Sequence, residues 1–386
     1  MTPQAGWASS LSASTRYENI QRLKAAVELA EPSNVCAQKL AFTIENEAYK
    51  TSTTLDEYSA ACQYVPRNGK HVTSSPEQTT WKSSTVPDPG VSIGKYTNCR
   101  FIASGVTAEV YESGSRALKV ITETRNLEPH NPAREAKILA SLRKPCIPLL
   151  ETFRDQEQRF VLVFPYMPLS LEALITHGSI PLARVRNYFM DLFGALEYIH
   201  GQGIIHRDIK PSALLLESPD GPAYLSDFGT AWHPAMSTAW EPEDQKILDI
   251  GTGPYRAPEV LFGDKSYGTS VDMWAAGVML AECSQDPPQP LFESRPVHED
   301  GNQLGLILSI FKTMGSPTRE NWPEAARFRT PPFEMYRSFE QRTWEDILPD
   351  MRPEFRDLVA KLVRYNSSRA SAIAVMVLLS LNIGFG

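Results

Sequence analysis

Between residues 13 and 63 apolar side chains recur at helical steps. Ile20, Leu23, Val27 and Ala30 stand three and four apart, and Pro32 closes the helix they predict. Leu40, Ile44 and Ala48 mark a second helix. Thr54, with Glu57 three residues on, has the form of a capping box and opens a third, which turns Leu55, Tyr58 and Cys62 inward. Residues 1–63 are therefore expected to form a small helical region. From 64 to 95 the period disappears. Pro66, Pro76, Pro87, Pro89, Gly69 and Gly90 stand among Ser and Thr, the composition of a flexible linker.

From residue 96 onward the pattern reads strands first and helices later, which predicts an α+β domain over 96–386. Phe101-Ile102 and Val110-Tyr111 flank a loop, and Arg116 to Ile121 continues the meander. Asn131 followed by Pro132 is a helix-start signal, with Ile138, Leu139 and Leu142 on the inner face. Phe160 to Phe164 is a buried strand. Val185, Phe189, Leu192, Leu196 and Ile199 line one face of a long helix, with Gly201 as its stop. Trp274 to Ala281 is apolar on every side and predicts a fully buried central helix. No internal repeat is visible.

Composition narrows the class. Over 386 residues, 38 Lys and Arg stand against 45 Asp and Glu, a net charge of −7. Such a chain has no global field for nucleic acid or an anionic membrane, and neither is expected as a partner. Five scattered cysteines without a CxxC argue against a disulfide framework or a zinc site and suit a reducing compartment. The N-terminus lacks the layout of a signal peptide, and no run reaches the roughly 18 apolar residues of a membrane span. The expectation is a soluble monomer of the nucleus and cytoplasm.

The chemistry lies in a set of short strings. Ile205-His206-Arg207-Asp208-Ile209-Lys210-Pro211 is followed by Asp227-Phe228-Gly229. Lys119 in Ala-Leu-Lys and Glu135 in Arg-Glu come earlier, and Ala257-Pro258-Glu259 comes later. This order and spacing resemble the protein kinases, over roughly residues 96 to 370. The resemblance implies a bilobal fold, with a small β-rich lobe at 96–165 and a larger helical lobe at 166–386. It also implies ATP and Mg²⁺ as cofactors. Phosphoryl transfer asks for positioning and positive charge more than covalent chemistry. Lys119 would hold the α- and β-phosphates, with Glu135 as its ion-pair partner. Asp227 offers a hard oxygen ligand to Mg²⁺. Asp208 sits where an acceptor hydroxyl would give up its proton, and Lys210 would stabilise the transferring group and mark Ser/Thr acceptors.

Adenine would lie between the lobes against Val110, Ala117 and Leu215, with Ile102 and Gly105 above it. Its hydrogen bonds would go to the backbone near Tyr166 and Met167, with Phe164 as the bulky gate. His206 reads as structural. Arg207 would meet an activation-loop phosphate, Glu259 and Arg369 would form a buried pair, and Asp272 would anchor the catalytic loop from the central helix. Thr252 joins this regulatory and structural set.

Two departures qualify the resemblance. The glycine-rich loop reads Ala103-Ser104-Gly105-Val106-Thr107-Ala108-Glu109-Val110, so only Gly105 keeps its glycine. After Lys210-Pro211-Ser212 stands Ala213, where the family places a metal-binding Asn; a methyl ligates nothing, and Ser212 is not assigned that task. The alternatives are an active kinase with one metal held by Asp227, or a catalytically impaired pseudokinase acting as a scaffold or allosteric partner.

Tyr255-Arg256-Ala257-Pro258-Glu259 and the stretch from Gly301 through Pro317 to Trp322-Pro323 resemble the cyclin-dependent kinase group, yet the segment around Glu135 lacks an apolar cyclin-docking sequence. The usual activation Thr is also missing. Acidic residues crowd the segment instead (Glu241, Glu243, Asp244 and Asp249), and one of them could offer Arg207 a permanent carboxylate, the alternative being a solvated acidic loop. The whole pattern is similar to the fungal single-subunit CDK-activating kinases. It implies cyclin-dependent kinases as substrates and no cyclin requirement. Thr230, β-branched after Asp227-Phe228-Gly229, accompanies Thr acceptors in the family. The N-terminal helices resemble a KIX-type module, which would make them a transcription-related adaptor, or are an ordinary extension. The apolar run 372–386 is either a last core helix or an artefact of the gene model.

Overall fold

The computed structural model describes residues 11, 13–30, 41, 44, 45, 48, 49, 51, 52, 54–63, 90–105, 107–122, 128–143, 145–294, 303–334 and 338–381. Two compact units divide the chain. One comprises Met1–Thr124 with Thr152–Val163, the other Arg125–Glu151 with Phe164–Gly386.

The first unit begins with α1 (Ala13–Ala30) and α2 (Leu55–Gln63), and residues 41, 44, 45, 48, 49 and 51 between them are also helical. Ile20, Leu23, Ala41, Ala48, Tyr58 and Cys62 pack into one core. The Thr54 hydroxyl accepts the Glu57 N–H at 3.1 Å, as the cap pattern requires. Pro32 and Leu40 lie outside the described residues. A polar network also runs through this core. Arg16 forks onto Glu45 at 2.7 and 2.8 Å, the Tyr58 hydroxyl donates to Glu45 at 2.7 Å, and Asn19 donates to Tyr58 at 3.1 Å. Burial and the Glu45 charge push the Tyr58 hydroxyl far above its ordinary value.

Six strands follow: β1 (Val91–Ile93), β2 (Tyr96–Ser104), β3 (Ala108–Ser113), β4 (Arg116–Ile121), β5 (Glu151–Arg154) and β6 (Phe160–Pro165), in the order β1-β2-β3-β4-β6-β5. The first four pair antiparallel in sequence. Ile93, Cys99, Leu118, Val120, Val161 and Val163 fill the core under the sheet. Gly94 turns β1 into β2 at φ 55°, and a Cβ there would fall 2.4 Å from the Phe153 ring. Val91 opens the sheet inside the stretch 64–95 expected as linker, because β1 is needed to pair with Cys99 and Tyr96.

The second unit holds α3 (Pro132–Ser141), a small antiparallel sheet of β7 (Leu169–Ser170), β8 (Leu214–Leu216) and β9 (Ala223–Leu225), and the helices α4 (Leu171–His177), α5 (Leu182–His200), α6 (Ser270–Cys283), α7 (Leu304–Met314), α8 (Pro353–Leu362) and α9 (Ala372–Leu381). Every residue of α6 from Val271 to Cys283 is buried, as its unbroken apolar run demands. On α9 only Ala372, Val375 and Leu379 are buried, and the Arg186 guanidinium donates to the Leu379 carbonyl at 2.8 Å. The run is thus a packed helix on one face only. Among the described residues no helix is long and apolar enough to cross a membrane. Cys62, Cys99, Cys146 and Cys283 are buried free thiols, and Cys36 lies outside the described residues.

α3 lies in the second unit. Its cap residue, Asn131, donates its N–H to the Gly229 carbonyl at 3.1 Å. Gly201 caps α5 as the expected stop, with right-handed φ −61° and its N–H on the Glu197 carbonyl at 3.0 Å. The left-handed residue is Gly203 at φ 72°, whose N–H returns to the His200 carbonyl at 2.9 Å.

Candidate active site

In the first unit, the β4 side chains alternate. Leu118 and Val120 enter the core, so Ala117 and Lys119 take the opposite face, and Val110 on β3 lies directly across from Lys119. Three of the sequence-predicted residues are therefore gathered on one face of one hairpin. The tight end of β2–β3 is closed by Gly105 N–H to the Ala108 carbonyl at 2.8 Å. Ala103 pairs with Val110 and Ala108 with Ile121, so both alanines are ladder residues rather than loop residues. A Cβ on Gly105 would stand 3.7 Å from the nearest neighbour, an ordinary contact. Ile102 sits at the β-bulge between Phe101 and Ala103 and is 39% exposed.

In the second unit, Glu135 is buried in the first turn of α3, where the Asn131 side chain caps the Arg134 N–H at 2.9 Å. Phe164 is buried at the end of β6, with Tyr166 and Met167 half-buried after it. Leu214 and Leu216 of β8 are buried, which turns Leu215 to the half-open face.

The string from Ile205 to Pro211 is held from three sides. Ile205 and Trp232 exchange backbone hydrogen bonds at 3.0 and 2.9 Å. Asp272, fully buried at the start of α6, accepts the N–H of His206 at 2.9 Å and of Arg207 at 2.8 Å, and meets His200 Nε2 at 2.9 Å. Burial would raise the Asp272 carboxyl, but the His200 hydrogen bond and charge, with the His206 amide, hold it below the usual range. The His206 ring donates from Nε2 to the Ser226 carbonyl at 2.9 Å and accepts the Asp208 N–H on Nδ1 at 3.3 Å. It also packs edge-on against Phe228 at 4.8 Å, the buried structural role expected of it. Arg207 and Asp227 both adopt left-handed backbone, at φ 72° and 62°. Such strain persists only where surrounding bonds enforce it.

This scaffold brings three predicted residues into contact. Thr252 donates its hydroxyl to Asp208 Oδ1 at 2.7 Å, Lys210 Nζ donates to Asp208 Oδ2 at 2.5 Å, and Lys210 Nζ lies 3.4 Å from Thr252 Oγ1. One carboxylate is thus oriented by a neutral donor on one oxygen and a cation on the other, with all three groups partly shielded from water.

Among the acidic residues of the segment, Glu241 is the one that meets Arg207. The pair is buried, and Glu241 Oε1 also accepts the Ile247 N–H at 2.8 Å. Arg207 also donates to the Thr230 carbonyl at 2.5 Å and the Tyr267 hydroxyl at 3.1 Å. Burial lowers Arg134, and Arg207 adds to that through its like charge. Burial likewise lowers Lys246, whose ammonium stands 4.9 Å over the Trp232 ring. Sequence reasoning had no signal for Arg134, Lys246 or Tyr267 in this cluster. Glu259 and Arg369 form the expected buried pair at 2.5 and 2.9 Å.

Ala213 is buried and its carbonyl accepts both the N–H and the hydroxyl of Ser226, at 2.8 and 2.9 Å. Among the described residues no group of three or more His, Cys, Asp or Glu side chains could hold a metal ion. A Mg²⁺ ion that also binds substrate phosphates needs only one or two carboxylates. Asp227 supplies one, so the donor chemistry fits a single ion.

Residues 96–377 match the protein kinase domain family, and the chain belongs to that family. It is a protein serine/threonine kinase, an ATP-binding transferase, related to kinases of the cyclin-dependent group. The chain is 34% identical over 295 residues to serine/threonine-protein kinase csk1 of Schizosaccharomyces pombe, covering 71% of this chain and 90% of that protein. Serine/threonine-protein kinase CAK1 of Saccharomyces cerevisiae is 29% identical over 281 residues, covering 60% and 76%. Cyclin-dependent kinase 7 of Xenopus laevis is 33% identical over 259 residues, covering 64% and 69%.

Proposed function

We propose that the protein transfers the γ-phosphoryl group of ATP to the activation-segment Thr of cyclin-dependent kinases, and that it does so without a cyclin and without a phosphate on its own segment. The observation that carries this reading is Glu241 in the Arg207 cluster. An enzyme that installs the first activating phosphate on other kinases cannot wait for one itself, and a built-in carboxylate removes that need. The likeness to serine/threonine-protein kinases and to a cyclin-dependent kinase supports this reading.

In this reading Asp208, oriented by Thr252 and Lys210, takes the proton of the acceptor hydroxyl, and Lys210 neutralises charge on the transferring group. Lys119 and Glu135 are assigned to nucleotide binding, with Ile102, Gly105, Val110, Ala117, Phe164, Tyr166, Met167 and Leu215. Asp227 is assigned to the magnesium ion, which supplies charge neutralisation at the phosphates when bound. The test is incubation with ATP, Mg²⁺ and an unphosphorylated, cyclin-free cyclin-dependent kinase, followed by mapping of the phosphosite. Phosphate on the activation-segment Thr alone supports the reading; its absence there overturns it.

A further inference from the structure

Beside the buried Glu241 stands Trp240, which is 89% exposed, the most exposed large apolar side chain among the described residues. Its indole buries almost none of its surface in the fold, which leaves a large amphipathic ring available to a partner. The backbone around it is fixed. Trp240 N–H and Glu241 N–H both donate to the Ser237 carbonyl, at 3.0 and 2.9 Å. Ser237 is fully buried and its hydroxyl accepts the His233 N–H at 3.0 Å, while the Trp232 indole donates to the Glu241 carbonyl at 2.9 Å. The carboxylate of Glu241 is held by Arg207, the residue before Asp208. Trp240 is thus an exposed aromatic on a hydrogen-bonded backbone, next in the chain to the residue that pairs with Arg207.

The chemistry of its surroundings names the kind of partner. Pro242, Glu243, Asp244 and Gln245 are exposed, whereas Lys246 is buried, so the outer face beside the indole is acidic. The same segment continues into Thr252, which touches Asp208. An exposed aromatic on an ordered backbone, followed in the chain by exposed carboxylates and then by Thr252 at Asp208, fits a folded protein with an apolar pocket bordered by basic side chains.

We propose that Trp240 is a docking anchor for the folded substrate kinase, and that recognition rests on this contact as well as on the residues around the acceptor Thr. The inference rests on the substrate reading given above. It is tested with Trp240→Ala and Trp240→Phe against two substrates, the intact unphosphorylated cyclin-dependent kinase and a short peptide of its activation segment. The Ala variant loses about tenfold or more in kcat/KM on the intact protein, through KM, and stays within about twofold on the peptide, while the Phe variant keeps most of the activity. Glu243→Lys with Asp244→Lys lowers the rate on the intact protein alone, and most at low salt. Equal loss on both substrates, or no loss on either, overturns the anchor. A sedimentation shift showing that Trp240→Ala breaks a self-associated form would give the indole to a second copy of this chain and also overturn it. If the wild type leaves the intact kinase unphosphorylated, the substrate reading itself fails, a result separate from an anchor variant that behaves like wild type.

Discussion

Arg207 and Glu241 form an ion pair from which water is almost wholly excluded, their side chains 0% and 2% exposed. Among the described residues, Arg207 Nη2 and Glu241 Oε2 each lack a hydrogen-bond partner. The pair is therefore held by charge and by a few well-placed bonds, and neither member is tolerable there alone.

Glu241→Ala, which leaves the Arg207 guanidinium buried and uncompensated, destabilises the second unit by about 3–5 kcal/mol. Arg207→Met alone costs a similar amount, and the double change Arg207→Met with Glu241→Leu costs less than the two added together. Denaturation of the four proteins measures this cycle. In the wild type, phosphatase treatment leaves activity unchanged. Full additivity in the cycle would mean that the two side chains do not support one another.

Gly277 of α6 faces the end of α8 with no room for a side chain. A Cβ there would fall 2.6 Å from Leu362 Cβ and 2.9 Å from Val363 Cγ2. Gly277→Ala gains helix propensity of about 1 kcal/mol, yet the overpacking costs about 1–3 kcal/mol and wins. Thermal unfolding should show a lower Tm than wild type. A higher Tm would mean that α6 and α8 can separate freely.

Asp272 gives the second unit an acid limit. Its folded carboxyl lies below the ordinary value of 3.8, so the unfolded chain binds the proton more tightly. The stability this contributes is complete above the unfolded value and is lost as pH falls through the lowered folded one. Unfolding free energy should thus fall below about pH 4 in the wild type, and less steeply in Asp272→Asn, which starts out less stable at neutral pH. Parallel pH profiles for the two proteins would contradict this account of the anchor.

How far the sequence discloses the site follows from the length scale of each signal. The catalytic string, the Glu259–Arg369 pair and the Asp272 anchor were legible because their residue types recur at set places in a kinase chain. The helices α1, α5 and α6 were legible because periodicity is a local property. The sequence could narrow the Arg207 partner only to four acidic residues. Choosing Glu241 needs the turn that brings Ser237, Trp240 and Glu241 together, and the Tyr267 and Ile247 groups beside them. The Arg16–Glu45–Tyr58 network was invisible, since a buried charge pair between separate helices leaves no period. The end of α5 at Gly201 was legible, whereas the left-handed glycine two residues further on, Gly203, carried no separate signal.

The central claim is that Asp208, with Thr252 on one oxygen and Lys210 on the other, acts as the proton acceptor in magnesium-dependent phosphoryl transfer. Single-turnover transfer from labelled ATP to an inactive cyclin-dependent kinase, compared between wild type and Asp208→Asn, tests it most directly. The account predicts a transfer rate lower by about 10²–10⁴ in the variant, with its fold and Tm retained. Equal transfer by both proteins, or none by either, would contradict it and leave a chain that binds partners without performing the chemistry.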